Sequence, residues 1–253
     1  MVGGPARVTV SAATATERLP GWVTLVRAPN PGPMTLDGTN TWVLRPSPDA
    51  PAVVIDPGPL DHGHLDAVLA LGPVGQVLVT HRHHDHIEGL DTFCDRAGAE
   101  LVDSDQLTVN RLTITRLATP GHTADSVCLV AEVAGERVVA TGDTILGRGT
   151  TVVAWPDGSL ADYLDSLATL AAYAGVPALT GHGPALADTA AAAAFYRDHR
   201  LARLEQVRAA VRAGAVTAAD IVDRVYAGLD PALREAAEWS ARAQLEHVRG
   251  ERT

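Results

Sequence analysis

Apolar positions in the first two thirds of the chain come in short runs, separated by segments rich in glycine and proline. Runs of β-branched and aliphatic residues between such breakers predict β-strands. Helical spacing predicts helices at 64–71 and 159–174, the second with Ser159 as its N-cap. The mixture predicts an α/β fold, whose strands are 22–27, 39–45, 52–56, 76–80, 111–118, 126–132, 137–141 and 177–180.

The last quarter of the chain has helical spacing throughout. It predicts helices at 188–212 and 217–227 and a third one from Pro231. Thr217 and Pro231 stand where an N-cap and a first-turn proline belong. We therefore divide the chain into three parts: a loose N-terminal arm (1–20), a main domain (21–190) and a helical C-terminal extension (191–253).

Charge and cysteine content narrow the function classes. The formal net charge is −10, which argues against a broad electrostatic surface for nucleic acid but leaves a local basic groove open. All 20 basic residues are arginine, and with so much alanine this indicates biased codon usage rather than phosphate binding. Cys94 and Cys128 lack ligand spacing and predict free thiols in a reducing compartment.

No segment of the sequence predicts a membrane span. Residues 1–20 have no apolar signal core, and no later run has the uninterrupted apolar length of a membrane helix. We expect a soluble, cytoplasmic protein with no membrane partner.

Histidines are concentrated between a predicted strand and a helical pattern. Positions 81–86 hold four of the ten histidines and one aspartate. Residues 76–80 predict a buried strand before them, and Ile87, Leu90 and Phe93 follow at helical spacing. Imidazole nitrogens need polar partners when they are buried. This density at a strand end predicts a metal site; a solvated His-rich loop is the alternative.

Three further polar residues follow predicted strands, each beside glycine: His122 in TPGHT, Asp143 in TGDT and His182 in GHG. Glycine lets the backbone approach a site closely. Together with His81, His83, Asp85 and His86 they supply five imidazoles and two carboxylates and no thiolate. Such a set suits two divalent metals with open positions; zinc is the natural choice, and iron or manganese is also possible.

The HxHxDH run and the three later loops, in this order, resemble the metallo-β-lactamase superfamily over residues 20–190. The resemblance implies an αββα sandwich in which Asp56 orients the ligands without being one. Arg82 and His84 occupy variable motif positions and are not expected to bind metal. The resemblance also implies two zinc ions per chain: one held by His81, His83 and His122, the other by Asp85, His86 and His182, with Asp143 bridging both.

Finer features resemble the lactamase-beta-like-2 proteins, which include an endoribonuclease; related sequences release polyketide thioesters. The similar segments are 30–41, 146–151 and the start of the tail at 196–200. The tail of that group resembles a winged-helix module, and we expect a reduced form of it here. Asn40 and Arg148, in two of these segments, are the predicted substrate contacts.

The resemblance implies a hydrolase that uses a metal-bridged hydroxide on an ester, thioester or phosphodiester bond, with Asp85 relaying the proton. A true β-lactamase is disfavoured, because a bridging Asp143 marks the general hydrolase branch. Endoribonuclease activity on single-stranded RNA, a mononuclear-iron persulfide dioxygenase and a metal-stabilised binding protein are the alternatives. The expected partner is a small-molecule or acyl-thioester substrate, with RNA also possible, and the sequence leaves monomer and homodimer open.

Overall fold

Two five-stranded sheets form the centre of the protein in the computed structural model, which describes residues 19–250. Most of the predicted arm 1–20 therefore lies outside the described residues. The first sheet has the order β1 (Val23–Arg27), β2 (Asn40–Leu44), β3 (Ala52–Ile55), β4 (Val74–Leu78) and β5 (Glu100–Leu101). The second has the order β10 (Ala178–Thr180), β9 (Glu136–Gly142), β8 (Val127–Val133), β7 (Leu112–Ala118) and β6 (Gln106–Val109).

Strand direction brings the functional loops to one edge of each sheet. In the first sheet β3, β4 and β5 run parallel, so the residues after β3 and β4 leave the sheet at the same end. In the second sheet β10 runs parallel to β9, whereas β6 to β9 form an antiparallel meander. Carboxyl ends of parallel strands are where α/β proteins gather polar groups.

The inner strands β2 and β3 of the first sheet are covered on both faces. Trp42 and Ile55 pack between the two sheets, whereas Val43 and Val54 pack on the outside. Successive side chains of a strand point to opposite faces, so a doubly covered strand is a continuous apolar run. This explains why β2 and β3 are buried at every position.

Helices cover the outer faces of both sheets and give four layers, so the predicted αββα sandwich is confirmed. Leu65 and Phe93 pack on the first sheet, and Tyr163 and Tyr196 pack on the second. The helices are α1 (His62–Leu69), α2 (His84–Ile87), α3 (Leu90–Ala97), α4 (Leu160–Leu170), α5 (Thr189–Arg212), α6 (Ala218–Val225) and α7 (Arg234–Gly250), with a 3-10 turn at Pro231–Leu233.

Sequence patterns missed two features between β4 and β7. The single helix expected after the histidine cluster is two helices, α2 and α3, which meet at Gly89. A Cβ atom at Gly89 would lie 2.8 Å from the carbonyl oxygen of Pro59, so glycine permits the close approach. The sequence does not predict the edge strands β5 and β6 individually, because two and four residues are too few for a clear periodic pattern.

The C-terminal extension consists of helices only in its described part, 191–250, with no wing strand. Leu204 and Val207 of α5 pack with α6 and α7 in a core of their own. The predicted boundary at 190/191 falls inside α5, whose Ala193 and Tyr196 belong to the core of the main domain. No helix between residues 19 and 250 combines the length and the hydropathy of a membrane span.

We expect Thr217→Ala to lower the free energy of unfolding by about 1 kcal/mol, because it removes one half of a capping box. Thr217 Oγ1 accepts from the backbone N–H of Asp220, and the Asp220 carboxylate accepts from the backbone N–H of Thr217. Urea unfolding measures the change. Thr169→Ala is the control, since Thr169 lies exposed within α4, and it should stay within about 0.5 kcal/mol of the wild type. Equal losses in both variants would contradict the role given to the cap.

Candidate metal centre

Seven side chains converge at the edge where the two sheets meet. His81 and His83 lie between β4 and α2, and the others come from α2 or from the loops after β7, β9 and β10. The candidate ligand atoms form two groups, and within each group they lie within 4.8 Å of one another. One group is His81, His83, His122 and Asp143, and the other is Asp85, His86 and His182.

In the first group, three imidazole nitrogens face one another. Nδ1 of His83 lies 3.0 Å from Nε2 of His81 and 3.0 Å from Nε2 of His122. Nδ1 of His122 donates to the carbonyl oxygen of Val152 at 2.6 Å, which fixes the tautomer because a carbonyl can only accept. Nδ1 of His81 lies 3.0 Å from Oγ1 of Thr80. The Nε2 lone pairs of His81 and His122 therefore point toward the centre of the first group.

In the second group, two more imidazoles are held from behind. Nδ1 of His86 lies 2.9 Å from the Asp56 carboxylate, and Nδ1 of His182 lies 3.2 Å from the carbonyl oxygen of Gly38. Asp85 Oδ2 accepts from Thr39 Oγ1 at 2.9 Å and lies 3.1 Å from Nε2 of His182. Carbonyl or carboxylate partners on the far nitrogen are the usual way of orienting a metal-binding histidine.

Asp143 lies between the two groups. Its Oδ2 is 3.7 Å from Nε2 of His122 and 3.4 Å from Nε2 of His182, and its Oδ1 is 3.6 Å from Nε2 of His86. One carboxylate thus faces imidazoles of both groups, which is the arrangement that the resemblance implies for a bridging ligand.

Asp56 contacts the ligands from behind, as the resemblance implies. Its Oδ1 accepts from the backbone N–H of Thr80 and its Oδ2 from the Thr80 hydroxyl, both at 2.7 Å, and Oδ2 also lies against His86. The Thr80 hydroxyl in turn lies beside Nδ1 of His81. Asp56 therefore orients His86 directly and His81 through Thr80.

The buried histidines of the cluster fall into two pairs, one with lowered and one with raised pKa values. Burial lowers the pKa of His81 and His122, so both rings are neutral at pH 7. Burial also acts to lower the pKa of His86 and His182, but nearby carboxylates outweigh it and raise these pKa values to about 9 and about 10. The principal carboxylates are Asp56 for His86 and Asp143 for His182.

The two carboxylates of the cluster stay ionised. Burial acts to raise the pKa of Asp143, but His182 and His86 hold it well below its usual value. Burial has the same effect on Asp85, whose pKa is nevertheless lowered by a hydrogen bond from His182 and by the charge of His86. A cluster with two buried or half-buried carboxylates attracts a cation.

Two atoms in the centre of the cluster have no hydrogen-bond partner. Nε2 of His86 and Oδ1 of Asp143 are both buried, and their separation of 3.6 Å is too long for a hydrogen bond. Buried polar atoms without a partner are costly and rare. A divalent cation would satisfy both, and imidazole nitrogens with carboxylate oxygens suit zinc, iron or manganese. The residues therefore fit a metal centre.

Two positions beside the ligands require glycine, because neighbouring atoms leave no room for a side chain. A Cβ atom at Gly181 would lie 2.3 Å from Oδ1 of Asp143 and 2.9 Å from Cε1 of His86. At Gly121, where φ is +139°, it would lie 2.3 Å from the backbone of Tyr163 in α4. The glycines of the GHG and TPGHT motifs thus allow the loops to pack against the cluster and against α4.

Other predicted residues lie outside the cluster. His84 is exposed at the start of α2, and Arg82 is exposed beside Asp125, so both lie apart from the ligand atoms, as expected. Arg148 forms a bidentate ion pair with Asp37 on the surface. The prediction that Asn40 contacts the substrate needs correction.

Asn40 has a structural role. It is fully buried, and its amide nitrogen donates to the carbonyl oxygens of Thr180 and Gly183 at 2.9 and 2.8 Å. Its side-chain oxygen accepts from Arg27. Asn40 therefore holds the loop that carries His182 and has no amide N–H left for a substrate.

Sequence reasoning missed the groups that lie behind the imidazoles. The sequence places Thr80 at the end of one predicted strand and Thr39 at the start of another, and it indicates a role in the site for neither. The carbonyl groups of Gly38 and Val152 are backbone atoms, which no side-chain pattern marks. Only the position of Thr80 directly before His81 offered a signal.

Comparisons with known proteins place this cluster in a family. The profile described as "Metallo-beta-lactamase superfamily" matches residues 34–105. A beta-lactamase-like protein 2 homolog from Caenorhabditis elegans is 31% identical over 249 residues, covering 87% of this chain and 82% of that protein. The chain belongs to the metallo-β-lactamase superfamily.

Two further proteins are similar to this chain. The atrochrysone carboxyl ACP thioesterase of Aspergillus chevalieri is 32% identical over 241 residues, covering 83% of this chain and 75% of that protein. A beta-lactamase domain protein of known structure from Burkholderia ambifaria superposes with a TM-score of 0.77 at 24% identity, covering 91% of this chain and 87% of that one. At that identity the likeness concerns the fold.

We expect Asp56→Asn to weaken metal binding by about 10- to 100-fold, because His86 loses its charged partner and Thr80 loses one acceptor. Competition against a chelating indicator measures the affinity. Asp91→Asn is the matched control, since Asp91 is exposed on α3, and it should bind metal like the wild type. Unchanged affinity in Asp56→Asn would show that His86 is positioned by packing alone.

Proposed function

We propose that this superfamily member is a binuclear, metal-dependent hydrolase that acts on an ester-class bond, with a thioester as the preferred substrate. The observation that carries the proposal is the position of Asp143, whose carboxylate belongs to the first group and also faces His86 and His182 of the second. Sets of three further donors on each side leave room for substrate and water on each metal.

The residues that would hold the metals follow from the two groups. His81, His83 and His122 would hold the first, and Asp85, His86 and His182 the second, with Asp143 on both; zinc is the favoured metal. Paired divalent ions supply a water of lowered pKa and polarise the oxygen of the bond to be cleaved.

Asp85 is the residue best placed to handle a proton. Its Oδ2 is held by Thr39 and His182, and its side chain is about one quarter exposed, unlike the other ligands of its group. An ionised carboxylate at the solvent side of the cluster can accept a proton from the attacking water and pass it outward. We assign this relay to Asp85.

The shape of the cleft supports a substrate with an apolar part. A cavity of about 350 Å³ is lined by His122 and Asp143 and by apolar side chains of the extension. An acyl chain bound there would place its carbonyl group near the ligand atoms. The thioesterase name of the Aspergillus chevalieri relative supports the same choice of bond.

One rival is a single-iron oxygenase. Such an enzyme needs one ligand group, whereas here a second group of three candidate ligands is present, and both of its imidazole rings have a hydrogen-bond partner on the far nitrogen. The other rival, cleavage of single-stranded RNA, has less support, because the net charge is −10 and much of the cavity lining is apolar. Two metals and a thioester therefore remain the preferred combination.

Cytoplasmic location is part of the proposal. Cys94 and Cys128 are both free thiols, which suits a reducing compartment. We expect a monomer or a homodimer.

Asp143→Ala should reduce the metal content from two ions to at most one per chain and lower turnover of a model thioester by about 100-fold or more, because both groups lose their shared ligand. Elemental analysis and thiol release measure the two effects. His84→Ala is the matched control: it removes an exposed imidazole from the same motif and should keep both metals and full activity. An active Asp143→Ala protein with two metals would overturn the assignment.

Removal of metal by a chelator should abolish thioester hydrolysis, and zinc should restore it. The same preparations are assayed with single-stranded RNA and, after loading with iron, with a persulfide under oxygen. Oxygen consumption by a form with one iron and no zinc would favour the oxygenase, and cleavage of RNA without thiol release would favour the ribonuclease.

A further inference from the structure

The cavity beside the metal centre has two chemically different walls. The extension supplies an apolar wall that includes Tyr226, Leu229, Leu233 and Ala237. His122, Asp143 and neighbouring loops of the main domain line the cavity as well. A ligand in the cavity therefore touches the metal centre and the extension at the same time.

Basic side chains of α5 also line this cavity. They are His199, Arg200 and Arg203, which lie within little more than one helical turn of each other. Asp143 is the only acidic residue among the lining residues, and it belongs to the metal centre. Arg148 lines the cavity as well, but its charge is paired with Asp37.

Arg200 is a buried charge without an acidic partner among the described residues. Its side chain is 4% exposed, it donates to the carbonyl oxygen of Thr151, and its guanidinium lies 5.3 Å from the ring centre of Tyr163. Its Nε has no hydrogen-bond partner. Burying an unpaired charge is costly, and buried charges are normally paired.

Arg203 likewise has no counter-ion within residues 19–250. Its guanidinium stacks 4.4 Å from the ring centre of Tyr226 and donates to the Val225 carbonyl and to Gln206, which are both neutral. Burial and the charges of Arg200 and Arg203 lower the pKa of His199 to about 4. This corner of the cavity is therefore electropositive in a protein whose net charge is −10.

We propose that Arg200 and Arg203 form an anion subsite that binds a carboxylate or phosphate of the substrate, while the apolar wall holds the carbon skeleton between this group and the reacting bond. Guanidinium groups suit both anions, because their N–H groups match the spacing of two oxygens. The identity of the cleaved bond rests on the proposed function, whereas the binding of an anion in this cavity does not.

The test is a calorimetric titration of the full-length, metal-loaded protein. The probes are 3-phenylpropanoate, its neutral amide 3-phenylpropanamide, and 2-phenylethyl phosphate. We expect the wild type to bind at least one of the two anions about 10-fold or more tightly than the amide. The stronger of the two anions identifies the preferred group.

Variants on α5 assign the preference to the subsite. Arg203→Gln should reduce the preference for the anion about 10-fold, and Arg203→Lys should keep part of it. Arg197→Gln is the matched control, because it removes a charge from the exposed side of the same helix and should change nothing. Metal content and melting temperature show whether each variant is folded.

Two results would overturn the subsite. The first is equal affinity of the wild type for the anions and the amide. The second is a preference that survives Arg203→Gln but is lost in Asp143→Ala, which would place the anion on the metals. If Arg203→Gln does not fold, Arg203→Met, which keeps the aliphatic stem over Tyr226, takes its place under the same criteria.

The two proposals fail separately. Binding of an anion that depends on Arg203, together with no thioester hydrolysis, would reject the proposed bond and keep the subsite. Thioester hydrolysis by a wild-type protein with no anion preference would keep the proposed bond and reject the subsite.

Discussion

One buried carboxylate, that of Asp56, connects the two strand ends on which the metal centre is built. It follows β3 with a left-handed backbone, φ +52°, which costs a residue with a side chain about 1–2 kcal/mol. Three hydrogen-bonding contacts to Thr80 and His86 offset that cost and fix the loop after β4 relative to β3. The order of the histidine cluster therefore depends on a residue that contributes no ligand atom.

The other side of the centre depends on the extension. The hydroxyl of Tyr196 bonds both the N–H and the carbonyl of Leu146, Arg200 donates to Thr151, and Ser240 accepts from the N–H of Val153. These contacts hold the loop that follows β9. That loop presents the Val152 carbonyl to His122, so α5 and α7 determine the position of a ligand with which they make no hydrogen bond.

Sequence predicted the fold and the seven converging side chains because their signals are local: apolar runs, glycine beside a ligand, and a recognisable motif order. Sequence-based prediction failed where the role of a residue depends on contacts with residues far away in the chain. Asn40 lies in a segment similar to the relatives, yet its amide is occupied by a loop some 140 residues away, at Thr180 and Gly183. Arg200 and Arg203 could not be singled out either, because arginine is the only basic residue besides histidine in the chain and burial without a counter-ion is visible only in three dimensions.

The continuity of α5 limits where a chimaera of this protein and a relative can be joined. Its first turns complete the core under the second sheet, its middle carries the basic side chains of the cavity, and its last turns pack with α6 and α7. A chimaera joined at the start of the helix would exchange part of the main-domain core along with the extension. A junction after Arg203 would leave that core and the arginines in place while replacing the apolar wall, so the helix sets the point at which a new specificity can be grafted.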